Sequence, residues 1–275
     1  MDRPKSEKPP ERLGDGYFCK KFIRTLSFLI LLNFLVVPVQ AQEITVSAAV
    51  SLREAFTELG KTFEARQKGA RMRFNFGASG DLARQIAGGA PVDVFASAGL
   101  KEMDELEQKG FTVPGSRANF AGNAVVLVLP AASTVPLAAF TDLNRKELKK
   151  IALGNPQTVP AGRYAEQVLR KMNLWDPLKE KLIFAENVRQ VLDYVVRNEV
   201  DAGLVYATDA AAKSKDLKMP LSAPEGSHSP IVYPIAAVKG GKREALARAF
   251  IAQVISNEGK RVFGRYGFKI LEDKK

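Results

Sequence analysis

The sequence predicts an α/β protein of two lobes, built from parallel or mixed sheets flanked by helices. Strand-like and helix-like patterns alternate along nearly the whole chain, which implies parallel or mixed sheets covered by helices. Several strand segments are apolar throughout, as strands buried on both faces are. A chain of 275 residues with a removable leader suits two such lobes better than one large sheet.

The leader comes first. Lys20, Lys21 and Arg24 precede an apolar run from Leu26 to Val37, and Val39-Gln40-Ala41 supplies the small residues of a signal-peptidase site. The run is shorter than the roughly 20 apolar residues a membrane span needs. It is therefore read as a cleavable secretory signal, with residues 1–41 forming an extension plus signal peptide and the mature chain beginning near Gln42 in the periplasm. Cys19, the single cysteine, lies before the apolar run rather than after it, so it leaves with the leader and marks no lipid anchor. The mature chain then has to be stable in an oxidising compartment without disulfides.

Glu43–Ala48 reads as a strand, followed by a helix from Ser51 to Arg66 with Leu52, Phe56, Leu59 and Phe63 on one face. Arg71–Phe76 is a strand, Asp81–Ala87 a helix, Val92–Ser97 a buried strand and Glu102–Gln108 a helix. Ala124–Leu129 is too apolar for a surface strand and is placed centrally. The second half continues with strands at Ile151–Leu153, Leu182–Ala185, Ala202–Ala207 and Ile231–Val238. Its helices are Arg163–Met172, Asn187–Asn198 and a final helical region Arg243–Arg265. The lobes are assigned as 42–122, with 228–275 returning to it, and 123–227.

Enzyme chemistry finds little footing. The one histidine, His228, stands in a Gly/Ser/Pro-rich turn, and without cysteine the mature chain has neither a thiol nucleophile nor a thiolate zinc site. No P-loop and no GxGxxG follows a strand. The formal charge of +11 comes from scattered Lys and Arg rather than a cluster, which argues against a nucleic-acid partner.

A recurring arrangement points elsewhere: strand, small or hydroxyl residue, helix. It occurs at Ala48-Ala49-Val50-Ser51, at Gly77-Ala78-Ser79-Gly80, at Val159-Pro160-Ala161-Gly162 and at Glu186-Asn187-Val188. A helix N-terminus presents unpaired N–H groups and the positive end of the macrodipole, which suits an anion. In open α/β sheets such turns lie at the carboxyl ends of strands, where ligands bind. Ser51-Leu52-Arg53-Glu54 is also a capping-box pattern, so Ser51 has a purely structural reading as a cap. Gly77 and Gly80 around Ser79 permit close backbone approach. Tyr206 reads by default as a core aromatic of a strand.

Taken in order, AAVSLREAF, FGASGDLARQIAGGAPVDVFASA, GNPQTVPAGRYAEQVL, ENVRQVLDYVVRNEVDAGLVYATDA and RYGF make the mature chain resemble the periplasmic molybdate-binding proteins of bacterial ABC importers. The resemblance implies a two-lobe periplasmic binding protein of type II-like architecture, each lobe a mixed sheet flanked by helices with the ligand cleft between the lobes, and not an enzyme. It implies molybdate or tungstate as ligand, no further cofactor, a membrane permease as partner and a monomeric state. Its ligating positions fall on Ser51 and Ser79 through hydroxyl and backbone N–H, on Ala161 and Val188 through backbone N–H, and on Tyr206 through its phenol. The metal is then held through its oxygens, with no direct metal ligand. A sulfate- or phosphate-binding protein of the same fold is the alternative. Asp81 bears on it, because a carboxylate turned into the cleft would accept the proton of hydrogen phosphate.

Overall fold

A computed structural model describes residue 1 and residues 42–271. The predicted leader, with Cys19 and the cleavage site after Ala41, lies outside the described residues.

The first sheet has six strands: β1 (Gln42–Ala49), β2 (Ala70–Gly77), β3 (Val94–Ala96), β4 (Ala118–Gly122), β10 (Val232–Ala237) and β11 (Lys269–Ile270), in the order β11-β4-β10-β3-β1-β2. β1 runs parallel to β2 and β3, while β10 is antiparallel to β3 and β4. The second sheet comprises β5 (Val125–Pro130), β6 (Ile151–Gly154), β7 (Leu182–Ala185), β8 (Ala202–Tyr206) and β9 (Leu217–Ser222), in the order β7-β6-β8-β5-β9. β6 is parallel to β7 and β8, and β5 is antiparallel to β8 and β9. Both sheets are thus mixed. The chain passes between them at Asn123-Ala124 and returns between Ser222 and Val232.

β5 is buried at all six positions, as its composition requires, but it stands one strand in from the edge, and β8 occupies the middle. β7 is the opposite case, an edge strand whose Ile183 and Phe184 are exposed.

Helices α1 (Arg53–Arg66), α2 (Ser79–Ala87), α3 (Leu100–Gln108), α8 (Glu244–Ile255) and α9 (Asn257–Arg265) belong with the first sheet. The predicted final helical region is two helices, broken where the Ser256 hydroxyl accepts from Gly259 N–H as an N-cap. Phe56 of α1 packs on Phe74, Phe120, Phe250 and Phe263, so one aromatic cluster fixes α1, α8 and α9 to the sheet. Each buried ring contributes about 1.5–3 kcal/mol. The second sheet carries α4 (Pro160–Lys171), the short α5 (Trp175–Leu178), α6 (Val188–Val196) and the short α7 (Ala207–Ala211). Val188, Val191, Leu192 and Val195 are the buried face of α6, as their spacing requires.

Two helix starts differ from expectation in ways that matter for function. Ser51 does not open α1: residues Val50–Leu52 form a 3₁₀ turn, Leu52 is the N-cap, and no side chain caps the helix. The capping-box reading of Ser51 is thereby corrected, and its hydroxyl is free for another task. α4 begins at Pro160 rather than Arg163, because proline suits the first helical position, where its missing N–H costs nothing. Ala161 consequently lies inside the first turn.

Candidate functional site

The carboxyl ends of β1, β2, β6 and β7 each lead into a helical N-terminus, and these ends meet across the two lobes. Between them is a cavity of about 10 Å³, lined by Ala49, Val50, Ser51, Gly77, Ala78, Ser79, Ala98, Val159, Pro160, Ala161, Asn187, Val188 and Tyr206. All five residues singled out in the sequence, Ser51, Ser79, Ala161, Val188 and Tyr206, therefore lie on one wall or another of a single space. As it stands the space holds about one water-sized group. No charged residue lines it. Among the described residues no group of three or more His, Cys, Asp or Glu side chains is arranged to hold a metal ion directly.

Each donor is set up by its local structure. Asn187 is the N-cap of α6, and its side-chain oxygen accepts from Arg189 and Gln190 N–H. That satisfies the second and third helical N–H groups and leaves the first, that of Val188, which lines the cavity, outside the cap. In α4, Gly162 lets the first turn sit on the end of β6, since a Cβ there would lie 1.8 Å from the Gly154 carbonyl oxygen. This packing sets Ala161, in the first turn of α4, on the cavity wall. Ser79 heads α2 and is fully buried, and its hydroxyl accepts from Ala98 N–H at 3.0 Å. Because that bond fills an acceptor position, the Ser79 proton is available to the cavity.

Tyr206 ends β8, fully buried, and its phenol donates to the Ala98 carbonyl at 2.8 Å. Burial holds this phenol well above its ordinary value, so it remains protonated. Its single proton is committed to Ala98 in this arrangement, which makes it a weaker donor to the cavity than the two serines.

Asp81 does not point into the cavity. It sits on the outer face of α2, pairs with Arg84, and lines a separate surface depression with Asn155, Thr158 and Glu186. His228 stacks edge-on against Tyr164 and lies outside the cavity lining. The sequence reading passed over the layer behind the site. Asn123, Tyr233, Thr208 and Asp209 are all buried there.

Ion pairs cross the cleft beside these helices. Arg163 of α4 reaches Glu102 of α3 with bonds of 2.7 and 3.0 Å, and Arg189 of α6 reaches Glu54 of α1 at 2.6 Å. Arg189 Nε also lies 2.7 Å from Asp209 Oδ1, at ion-pair distance but without hydrogen-bond alignment, so both Asp209 oxygens are buried with no hydrogen bond. Burial outweighs the attraction of Arg189 and pushes the Asp209 carboxyl up to about 7. The folded protein therefore keeps this proton over a range where the unfolded chain has lost it. The contribution to stability is full below about pH 4 and is lost as pH rises to about 7. Asp209→Asn, neutral at every pH, is expected to gain stability relative to the parent between pH 5 and pH 7.5 in urea unfolding. Parallel profiles for the two proteins would mean that Asp209 is ionised in the fold.

Two mixed sheets joined by two crossings, with the ligand space at the strand ends between them, define a solute-binding protein of the two-lobe kind. The chain belongs to the bacterial extracellular solute-binding protein family, whose family model matches residues 44–269. This is a family of binding proteins rather than enzymes, and it places the chain outside the cytoplasm. The chain is 39% identical over 232 residues to the molybdate-binding protein ModA of Escherichia coli, covering 83% of this chain and 89% of that one. It is 40% identical over 225 residues to the putative ABC transporter substrate-binding lipoprotein YvgL of Bacillus subtilis, covering 82% and 85%. Among solved structures, the substrate-binding domain of a putative molybdenum ABC transporter from Clostridium difficile superposes with a TM-score of 0.65 at 37% identity, covering 84% of this chain and 99% of that one. The resemblance read from the sequence motifs and these relatives agree.

Proposed function

We propose that this protein captures molybdate or tungstate outside the cytoplasm, as a monomer needing no further cofactor, and hands the anion to the membrane permease of an ABC importer. The observation that carries the reading is the meeting of four helical N-termini and two serine hydroxyls on one uncharged cavity. A dehydrated dianion needs its charge compensated, and charge-assisted hydrogen bonds from fixed dipoles do this without lysine or arginine. Ser51 and Ser79 give hydroxyl and N–H, Ala161 and Val188 give N–H, and Tyr206 gives its phenol when it leaves Ala98. A site of donors alone favours an anion with no proton of its own, because a protonated oxyanion would keep an O–H without a partner at about 1–3 kcal/mol.

The position of Asp81 outside the cavity supports this over phosphate. Sulfate also lacks a proton, and the longer Mo–O and W–O bonds are what separates the ligands. The printed names of the relatives in E. coli and C. difficile support molybdenum and an ABC importer. Export follows the cleavable leader read at Lys20–Ala41.

Thermal melting against an oxyanion panel tests the reading. At a ligand concentration 100 times Kd, molybdate or tungstate should add about 2.7 kcal/mol, roughly 5–11 °C for a protein of this size. Sulfate should act weakly and phosphate not at all. Stabilisation by phosphate with none from molybdate would overturn the proposal.

A further inference from the structure

Ser51 lines the cavity, yet a hydroxyl can give or take a hydrogen bond, and which it does toward an anion depends on what lies behind it. Behind it is a buried chain of polar groups. Ser51 Oγ lies 3.3 Å from the Tyr233 phenol oxygen, and Asn123 Nδ2 donates to that same oxygen at 3.0 Å. The orientation of the Asn123 amide is fixed at its other end: Oδ1 accepts from Ala124 N–H at 2.9 Å, while Nδ2 also donates to Thr208 Oγ1 at 2.9 Å. Turning the amide over would set its NH₂ against the Ala124 N–H. Both Nδ2 protons are thus assigned, and the Tyr233 oxygen is an acceptor from Asn123.

Tyr233 is fully buried, and burial holds its phenol well above the ordinary value, so it carries a proton throughout the physiological range. Among the described residues, the polar groups bonded to its oxygen are Asn123 Nδ2, a donor only, and Ser51 Oγ. A buried phenol proton left without an acceptor costs about as much as any orphaned donor. It therefore goes to Ser51 Oγ, and the Ser51 proton is turned the other way, into the cavity.

We propose that Asn123 and Tyr233 are positioning residues for ligand selection: the chain Asn123 → Tyr233 → Ser51 orients the Ser51 hydroxyl as a donor toward the bound oxyanion and takes up one of its two acceptor positions. The inference rests on the oxyanion reading above and deepens it. Ala98 N–H does the same for Ser79 from the other side of the cavity. With both hydroxyls turned to donate and one acceptor position on each already filled, the site disfavours the proton of a hydrogen oxyanion without any charged residue. Asn123 lies at the crossing between β4 and β5 and also bonds Thr208 of α7, so the polarity of Ser51 is tied to the junction of the lobes.

Calorimetric titration of molybdate into the parent, Tyr233→Phe, Ser51→Ala and the double variant tests this, with hydrogen phosphate as the competing probe. Tyr233→Phe keeps the ring and frees the Ser51 hydroxyl to turn. Molybdate affinity should fall about 2- to 10-fold, and the preference for molybdate over hydrogen phosphate should narrow. In the Ser51→Ala background the same substitution should change neither quantity, an outcome that a merely structural role for Tyr233 does not produce. Should Tyr233→Phe fail to fold, Asn123→Ala, which releases Tyr233 to accept from Ser51, takes its place with the same expectation. Equal weakening in both backgrounds, or parent-like binding by Tyr233→Phe while Ser51→Ala is impaired, would overturn the proposal. A parent that binds no oxyanion of the panel would instead refute the underlying reading.

Discussion

Ser79→Ala is expected to weaken molybdate binding by roughly 10- to 150-fold, the loss of one charge-assisted donor of about 1.5–3 kcal/mol. The backbone N–H of residue 79 survives the substitution, so binding is reduced rather than abolished. The structure adds a second consequence. Ser79 Oγ is also the acceptor for Ala98 N–H, and residue 79 is fully buried. The variant therefore leaves a buried N–H unpaired and should lose about 1–3 kcal/mol of stability even without ligand. Val188→Ala is the companion measurement. Its contribution is the N–H that Asn187 leaves uncapped, and alanine keeps that N–H, so affinity should stay close to that of the parent. Titration calorimetry of both variants, with melting in the absence of anion, separates the two effects. If Ser79→Ala binds molybdate as tightly as the parent while folded, the hydroxyl is not a ligand.

Much of the fold was legible because its main elements are long and periodic or uniformly apolar. The α6 stripe and the all-buried β5 leave little choice of period or placement. The strands missed were β4, whose Ala-Asn-Phe-Ala-Gly has no alternation, β9, where Pro220 argues against a strand and is tolerated at a sheet edge, and β11, only two residues long. Four of the five proposed donors were visible because each lies at a turn from strand to helix, whereas Tyr206, the last residue of β8, was singled out only by the family resemblance. What lies behind them was not. Ser51 and Tyr233 are 182 positions apart, and Asn123 and Tyr233 are 110 apart, so their contact exists only once the chain has crossed between sheets twice. Ser51 shows how a local rule is overridden. Its sequence satisfies a capping box, yet the first turn tightens to 3₁₀ and the hydroxyl turns to Tyr233 instead. The glycines around Ser79 were read as making room for a ligand, and the structure assigns Gly80 a different task.

Gly80→Ala is expected to lower oxyanion affinity roughly 5- to 150-fold, the equivalent of the 1–3 kcal/mol that overpacking costs, although residue 80 does not line the cavity. Gly80 N–H donates to the Thr158 carbonyl at 2.9 Å, a backbone bond from one lobe to the other. A Cβ on residue 80 would lie 2.7 Å from the Thr158 oxygen and 2.8 Å from its Cα. Both are backbone atoms, so no change of rotamer relieves the contact, and the lobes have to separate. Thr158 stands two residues before Pro160, the first residue of α4, so separation there draws Ala161 N–H away from Ser79. Hydrogen bonds weaken steeply once stretched and bent, and a shift of a few tenths of an ångström is shared by every donor across the cleft. The cross-lobe Arg163–Glu102 pair is strained by the same movement. Separation of the lobes removes the Thr158 contact, so the penalty falls on the closed arrangement, and melting without anion should change less than affinity does. Ligand shifts the population toward closure only by its differential affinity, and the substitution subtracts from that difference. Small-angle scattering should show the parent contracting under saturating molybdate and Gly80→Ala contracting less at the same occupancy. Parent-like affinity together with parent-like contraction would show that the close approach of Gly80 to Thr158 is incidental to capture.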